Sequence, residues 1–160
     1  MARPRRSPLA LTHPENRGVL AYLEGGEGRR REPWAVPSSF DDPYLDCGCH
    51  PDVVERVWGA LGQGLPRSCR ALVYGTPALV HDVSGVVLAT GLGTQYALRV
   101  PALRLEESTR AGLAKRHTYR TIAMTLELAD FGPQWRFGAW HASEAAWLRE
   151  SYDELAAVRR

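Results

Sequence analysis

The chain has 160 residues, 44% of them apolar, with 20 basic and 18 acidic side chains and a formal net charge of +2. That is one domain with enough material for a core, and its near-balance lacks the one-sided excess of a strong nucleic-acid binder. No apolar run approaches the ~20 residues of a membrane span, His13, Pro14, Glu15 and Asn16 interrupt any signal core near the start, and three cysteines are too few for a disulfide framework; the chain reads as cytoplasmic.

All but one of the basic residues are arginine, with Lys115 the lone lysine, and Asn16 and Ile122 are likewise single occurrences. Lysine, asparagine and isoleucine have AT-rich codons, so the skew points to a high-GC bacterial genome and lowers the weight of arginine as a phosphate-binding signal. Charge comes in blocks: net +4 over residues 1–31, −5 over 32–66, +5 over 67–120 and −2 over 121–160. Such alternation suits a partner of mixed charge, or blocks that fold onto one another.

Residues 1–45 hold six of the eleven prolines and the run Gly25-Gly26-Glu27-Gly28-Arg29-Arg30-Arg31; they form a partly irregular arm or strap, and 46–160 form a single α+β domain. Within the arm, Thr12 and Glu15 make a capping-box pattern, Val19, Leu20 and Leu23 share a helical face, and Gly25 stops it, although Gly18 weakens the helix. A firmer helix runs from Pro51 to about Leu61. Proline suits the first helical position, Asp52 and Glu55 suit the dipole, and Val53, Val54, Val57, Trp58 and Leu61 make an apolar face.

From Arg70 to Pro101, β-branched runs alternate with turns, the pattern of an antiparallel meander. Strands are expected at 71–74, 78–81, 86–90 and 95–100, with Asp82-Val83-Ser84-Gly85 and Gly91-Leu92-Gly93 as turns. Residues 104–117 read as an exposed helix or loop. Alternation of Ile122, Met124, Leu126 and Leu128 gives a fifth strand over 121–128, with a helix as competitor. The last helix starts near Ser143 and packs Trp147, Leu148, Tyr152 and Leu155. The fold class is therefore α+β: an antiparallel sheet of four to five strands packed with an N-terminal-side helix and a C-terminal helix, in two layers.

Cys47, Cys49 and His50 have metal-ligand character, and His81, His117 and His141 are the histidines able to complete a zinc site. The C-x-C spacing without a second matched pair favours the plainer reading, small buried residues ahead of a helix with His50 at its N-cap. A cysteine before a helix N-terminus also has the chemistry of an activated thiol, but Cys49 and His50 are adjacent and lack an orienting third group. His81-Asp82 reads as a strand end and turn. Gly91-Leu92-Gly93-Thr94 lacks the third glycine of a dinucleotide loop, and Asp130-Phe131-Gly132 lacks every companion of a kinase tripeptide. Arg99, Arg104, Arg110, Lys115, Arg116 and Arg120, with Tyr96 and Tyr119, have the mixture that grips nucleic acid, without a recognition motif.

Trp135, Phe137 and Trp140 crowd into six residues. On a strand the first two share a face and Trp140 takes the other, so one indole is expected to meet solvent. The sequence thus assigns no catalytic residue and no favoured cofactor. Its leading expectation is a non-catalytic bacterial binding or accessory protein, immunity-like or a complex subunit, meeting a protein partner through Trp135, Arg136, Trp140 and His141. A small zinc- or thiol-dependent enzyme at Cys47, Cys49 and His50 is the alternative, and a nucleic-acid accessory domain the third; no membrane partner is expected.

Overall fold

The computed structural model describes residues 8–25, 32–37, 49–119 and 124–158. Helix α1 (Arg17–Glu24) follows a 3₁₀ turn at Pro14–Asn16, whose cap is His13: its Nδ1 accepts the Glu15 N–H at 3.1 Å. The cap thus falls one residue after Thr12. Val19, Leu20 and Leu23 are buried on one side, and Gly18 has a packing reason, since a Cβ there would lie 1.6 Å from the Asp130 carbonyl oxygen.

Helix α2 opens as an α-helix at Pro51–Val54, continues as a π-helix over Glu55–Ala60 and closes as a 3₁₀ turn at Leu61–Gly64. His50 caps it as expected, Nδ1 accepting the Asp52 N–H at 3.1 Å. Strands β1 (Arg70–Val73), β2 (Thr76–Val80), β3 (Val87–Leu92) and β4 (Gln95–Arg99) then form the expected meander. Tyr74 and Gly75 both have positive φ (49° and 78°) in the tight turn between β1 and β2, the geometry that matches strand twist in a two-residue hairpin. Helix α3 (Leu105–Arg110) precedes β5 (Arg116–Tyr119) and β6 (Met124–Glu127). Strand β7 (Trp135–Phe137) and helix α4 (Glu144–Val158) complete the described chain.

The main sheet has five antiparallel strands in the order β1-β2-β3-β4-β7, with Leu79 opposite Ala89, Thr90 opposite Ala97 and Leu98 opposite Arg136. The period-two strand of residues 124–127 belongs to a separate ribbon, in which Arg116 faces Glu127 and His117 faces Leu126. Residues 121–123 lie outside the described residues. The turn after Leu128 returns the chain to β4, where Val100 N–H donates to Gln134 O at 2.9 Å and sets β7 on the sheet edge.

Both sheet faces are covered, which explains why the strands read as nearly continuous apolar runs. Leu72, Leu79, Leu88 and Leu98 pack with Val53, Val57, Leu61 and Leu148 from α2 and α4, the two layers expected. On the opposite face Val73, Val80 and Trp135 pack with Val19, Leu20 and Leu23 of α1 and with Phe131. No helix among the described residues is long and apolar enough to cross a membrane.

Asn16 fastens α1 to the meander. Fully buried, it donates from Nδ2 to Ala10 O and Gly85 O and accepts the Val87 N–H at Oδ1, each at 2.8 Å. Asn16→Ala leaves the Val87 N–H without its acceptor and removes one of the two donors to each of Ala10 O and Gly85 O, which keep the His13 and Ala10 N–H groups, so urea denaturation is expected to show a loss of about 2 kcal/mol. An unchanged midpoint would contradict this anchoring.

Candidate functional site

Where β7 ends, the chain crosses the mouth of the α2–α4 layer through residues 138–143. Gly138 N–H donates to Tyr96 O at 3.0 Å, and its lack of a side chain is required: a Cβ would lie 1.9 Å from the Tyr96 ring. Two residues on, Trp140 has φ 57°, a left-handed conformation costing a non-glycine residue roughly 1–2 kcal/mol. Such a conformation persists only when its surroundings enforce it.

The enforcement comes from one carboxylate. Glu144, in the first turn of α4, is 0% exposed. Its Oε1 accepts Arg56 Nη2 at 2.7 Å and the Tyr96 hydroxyl, and its Oε2 accepts the Ala139 N–H at 2.7 Å. The Tyr96 oxygen in turn accepts the Trp140 N–H at 2.8 Å and Arg56 Nε at 3.3 Å. A second Arg56 Nη2 bond reaches His141 O at 2.8 Å. His141 also accepts the Ser143 N–H on Nδ1 at 3.0 Å and stacks on Trp147 with ring centroids 5.3 Å apart. His141 thus caps the turn that leads into α4.

Electrostatics follow the geometry. Burial pushes the Tyr96 phenol above its ordinary value and the Glu144 carboxylate pushes it further, so Tyr96 stays a neutral donor. Burial works against the Arg56 charge, but its bonds to Glu144 and Tyr96 more than compensate and raise its pKa. Arg56 lies in the π-helical part of α2, a backbone variant frequent at functional sites.

Trp140 is left 49% exposed, its ring edge-on to Tyr96 (5.1 Å, 81°) and 5.6 Å from the Arg56 guanidinium carbon. Asp52, Glu55, Arg56, Ala60 and Trp140 line a hollow of about 450 Å³. The tyrosine hydroxyl and the carboxylate beneath it are consumed by internal bonds. What the arrangement provides is a rigidly presented aromatic surface.

The other sequence candidates are distributed differently. Trp135 and Arg136 are 3% and 5% exposed; Trp135 packs edge-on to Phe131, and Arg136 Nη1 donates to Pro133 O and Trp135 O, each at 2.8 Å. Of the four residues expected to meet a partner, Trp140 is thus the exposed one, with His141 half-buried beside it. Cys49 is a buried thiol close to Gly91, where a Cβ would lie 2.7 Å from Sγ, and Cys47 lies outside the described residues. Among the described residues no group of three histidines, cysteines or carboxylates is placed to hold a metal. His81 is buried with Nδ1 accepting the Ser84 N–H at 2.9 Å, and His117 lies against Phe137.

The basic cluster is largely absorbed by acids. Arg99 pairs with Glu15 and Glu154, Arg104 with Glu107 and Glu150, Arg110 with Glu106, and Arg116 with Glu127; Tyr96 is buried, and Arg120 lies outside the described residues. The charge blocks therefore fold onto one another. A roomier groove of about 880 Å³ runs between α1 and the turn before β7, but Arg99 in its wall is spent on Glu15, Ser151, Glu154 and Gln134.

These ionic ties predict a pH profile. Hydrogen bonds from Arg104 hold Glu150 below the usual carboxylate range. Burial would raise Glu154, yet Gln134, the Ala102 N–H and Arg99 outweigh it and hold it low. A carboxylate with a lowered folded pKa contributes stability above its unfolded value and loses it as pH falls through the folded one. Burial, with Asp82 accepting its hydroxyl, pushes Tyr152 up to about 12 from 10.0. That contribution is complete below pH 10.0 and is lost as pH rises toward about 12. Denaturation midpoints are expected to be flat between about pH 5 and pH 9 and to fall on both sides, with Tyr152→Phe reducing the alkaline limb and the raised Tyr96 phenol keeping the rest of it. A midpoint unchanged above pH 10.0 would contradict the assignment.

Arg56, Tyr96, Gly138 and Glu144 were not legible as a site, because 88 positions separate Arg56 from Glu144. One signal was present: Arg56 is the lone base of the acidic block 32–66. Compared with known proteins, the chain matches no family model, no curated protein and no solved structure.

Proposed function

We propose that this chain is a non-catalytic binding protein, an accessory or immunity-like subunit of the bacterial cytoplasm, that docks a protein partner on the Trp140 surface. The observation that carries this reading is Trp140 itself, half-exposed and held at φ 57° by a buried arginine–carboxylate–tyrosine network. Tryptophan and arginine dominate binding hot spots, and a ring ordered in advance loses little entropy on docking. The buried thiols of Cys49 and Cys69 suit a reducing compartment.

Trp140→Gly tests this directly, because glycine adopts positive φ without strain and the substitution removes only the ring. In pull-downs from the native host, the wild-type chain is expected to retain a reproducible partner, and the variant to retain it at least about tenfold less, while the melting temperature changes little because relief of the left-handed strain offsets the ring's lost contacts with Tyr96 and Arg56. Equal retention by both proteins would refute the reading.

A further inference from the structure

The hollow beside Trp140 is defined by charge as well as by its ring. Arg56 and Glu144 neutralise one another 2.7 Å apart, with Glu144 fully buried. The hollow therefore takes its sign from Asp52 and Glu55 on its wall. Both are exposed, and among the described residues no arginine or lysine pairs with either; Asp52 approaches only His50, at 3.7 Å. Glu15, Glu127, Glu150 and Glu154, by contrast, each face an arginine. Gly59 contributes as well. A Cβ there would lie 2.2 Å from Glu55 Oε1, so the missing side chain lets the Glu55 carboxylate lie flat on α2 instead of swinging away.

We infer that the hollow receives a basic side chain, lysine or arginine, from a segment of a protein partner, seated on the exposed part of Trp140 between Asp52 and Glu55. This inference rests on the binding reading above and adds the chemistry of the partner. Arg56 already lies over the Trp140 ring at 5.6 Å, so the incoming cation meets the exposed part of the indole beside it; the two carboxylates attract it, and an acidic segment would meet them in repulsion. Arg56 does not repel the incoming charge, because Glu144 already compensates it. The site also explains why an ion pair with a buried carboxylate is placed under an exposed ring: it orders the platform without lending it net charge.

The test follows the indole N–H resonances of the ¹⁵N-labelled full chain, with Trp140 assigned from Trp140→Phe. Capped tetra-arginine and tetra-glutamate peptides serve as probes. The Trp140 resonance is expected to shift saturably with tetra-arginine and not with tetra-glutamate, and the response to weaken as salt rises from about 0.05 to about 0.5 M. Asp52→Asn with Glu55→Gln is expected to weaken binding about fivefold. No saturable shift, an equal shift with tetra-glutamate, or a peptide-free shift that grows with protein concentration, which would identify a second copy as occupant, would overturn the inference. The lysate pull-down separates the two levels. Partner loss on Trp140→Gly with no effect of the paired carboxylate substitutions leaves the binding reading standing and removes the basic partner; no loss on Trp140→Gly removes both.

Discussion

Glu144→Ala is expected to cost about 3 kcal/mol of stability, because it removes the buried carboxylate of an ion pair whose partner Arg56 is partly buried and leaves that guanidinium uncompensated. The carboxylate takes hydrogen bonds from Arg56, the Tyr96 hydroxyl and the Ala139 N–H, so three donors lose their acceptor together. At roughly 2–4 °C per kcal/mol for a chain of this size, the melting temperature falls by about 10 °C. Amide exchange at Ala139 and Trp140 is expected to accelerate more than exchange in β2 and β3, since the loop loses its tether first. Combining Arg56→Met with Glu144→Leu is expected to recover only the part of the loss that comes from the uncompensated guanidinium, because the Tyr96 hydroxyl and the Ala139 N–H still lack the carboxylate that accepts them. A loss below about 1 kcal/mol for Glu144→Ala would show that the network does not hold the loop.

Gly138→Ala is expected to cost about 3 kcal/mol through overpacking. The new Cβ would lie 1.9 Å from Tyr96 Cε2. Tyr96 cannot give way easily: its ring is fully buried, and its hydroxyl is bonded to Glu144, Arg56 and the Trp140 N–H. The strain should therefore pass to residues 138–140 and alter the near-ultraviolet signal of Trp140. Gly25→Ala is the matched control, with φ −88° and its nearest contact, Ala21 O, at 3.8 Å; it should be nearly neutral. Equal denaturation midpoints for the two variants would contradict the close approach of Gly138 to Tyr96.

The meander was readable because its signals are local. β-branched runs and the turn at Asp82 to Gly85 each act over a few residues; the turn expected at Gly91-Leu92-Gly93 falls at Gly93-Thr94, with Gly91 and Leu92 paired in β3. Strand β7 was not, because it is three residues long and exists by pairing with β4 and with Ala114. The π-helical stretch of α2 escaped for a related reason, since no local pattern separates it from an α-helix of the same apolar face. The block pattern of charge anticipated the fold better than it anticipated a partner, with Arg99, Arg104 and Arg116 finding their acids inside the chain.

For the site, alternation correctly required Trp135 and Phe137 to share a face and one indole to reach solvent. It could not supply the backbone at Trp140, which lies three residues beyond the end of β7 and has φ 57°. That conformation depends on Tyr96 and Glu144, residues brought together only by tertiary structure. An exposed tryptophan and an acidic helix start were both visible in the sequence, but the bond network linking them was not.

The most direct test of the Trp140 surface is site-specific photocrosslinking in the native host. A photoreactive phenylalanine analogue is placed at position 140 and, as a control, at Leu103, which is 95% exposed and outside the hollow. The binding reading predicts a discrete adduct with one protein partner from position 140 and none from position 103. No adduct from position 140, or the same adduct from both positions, would contradict it.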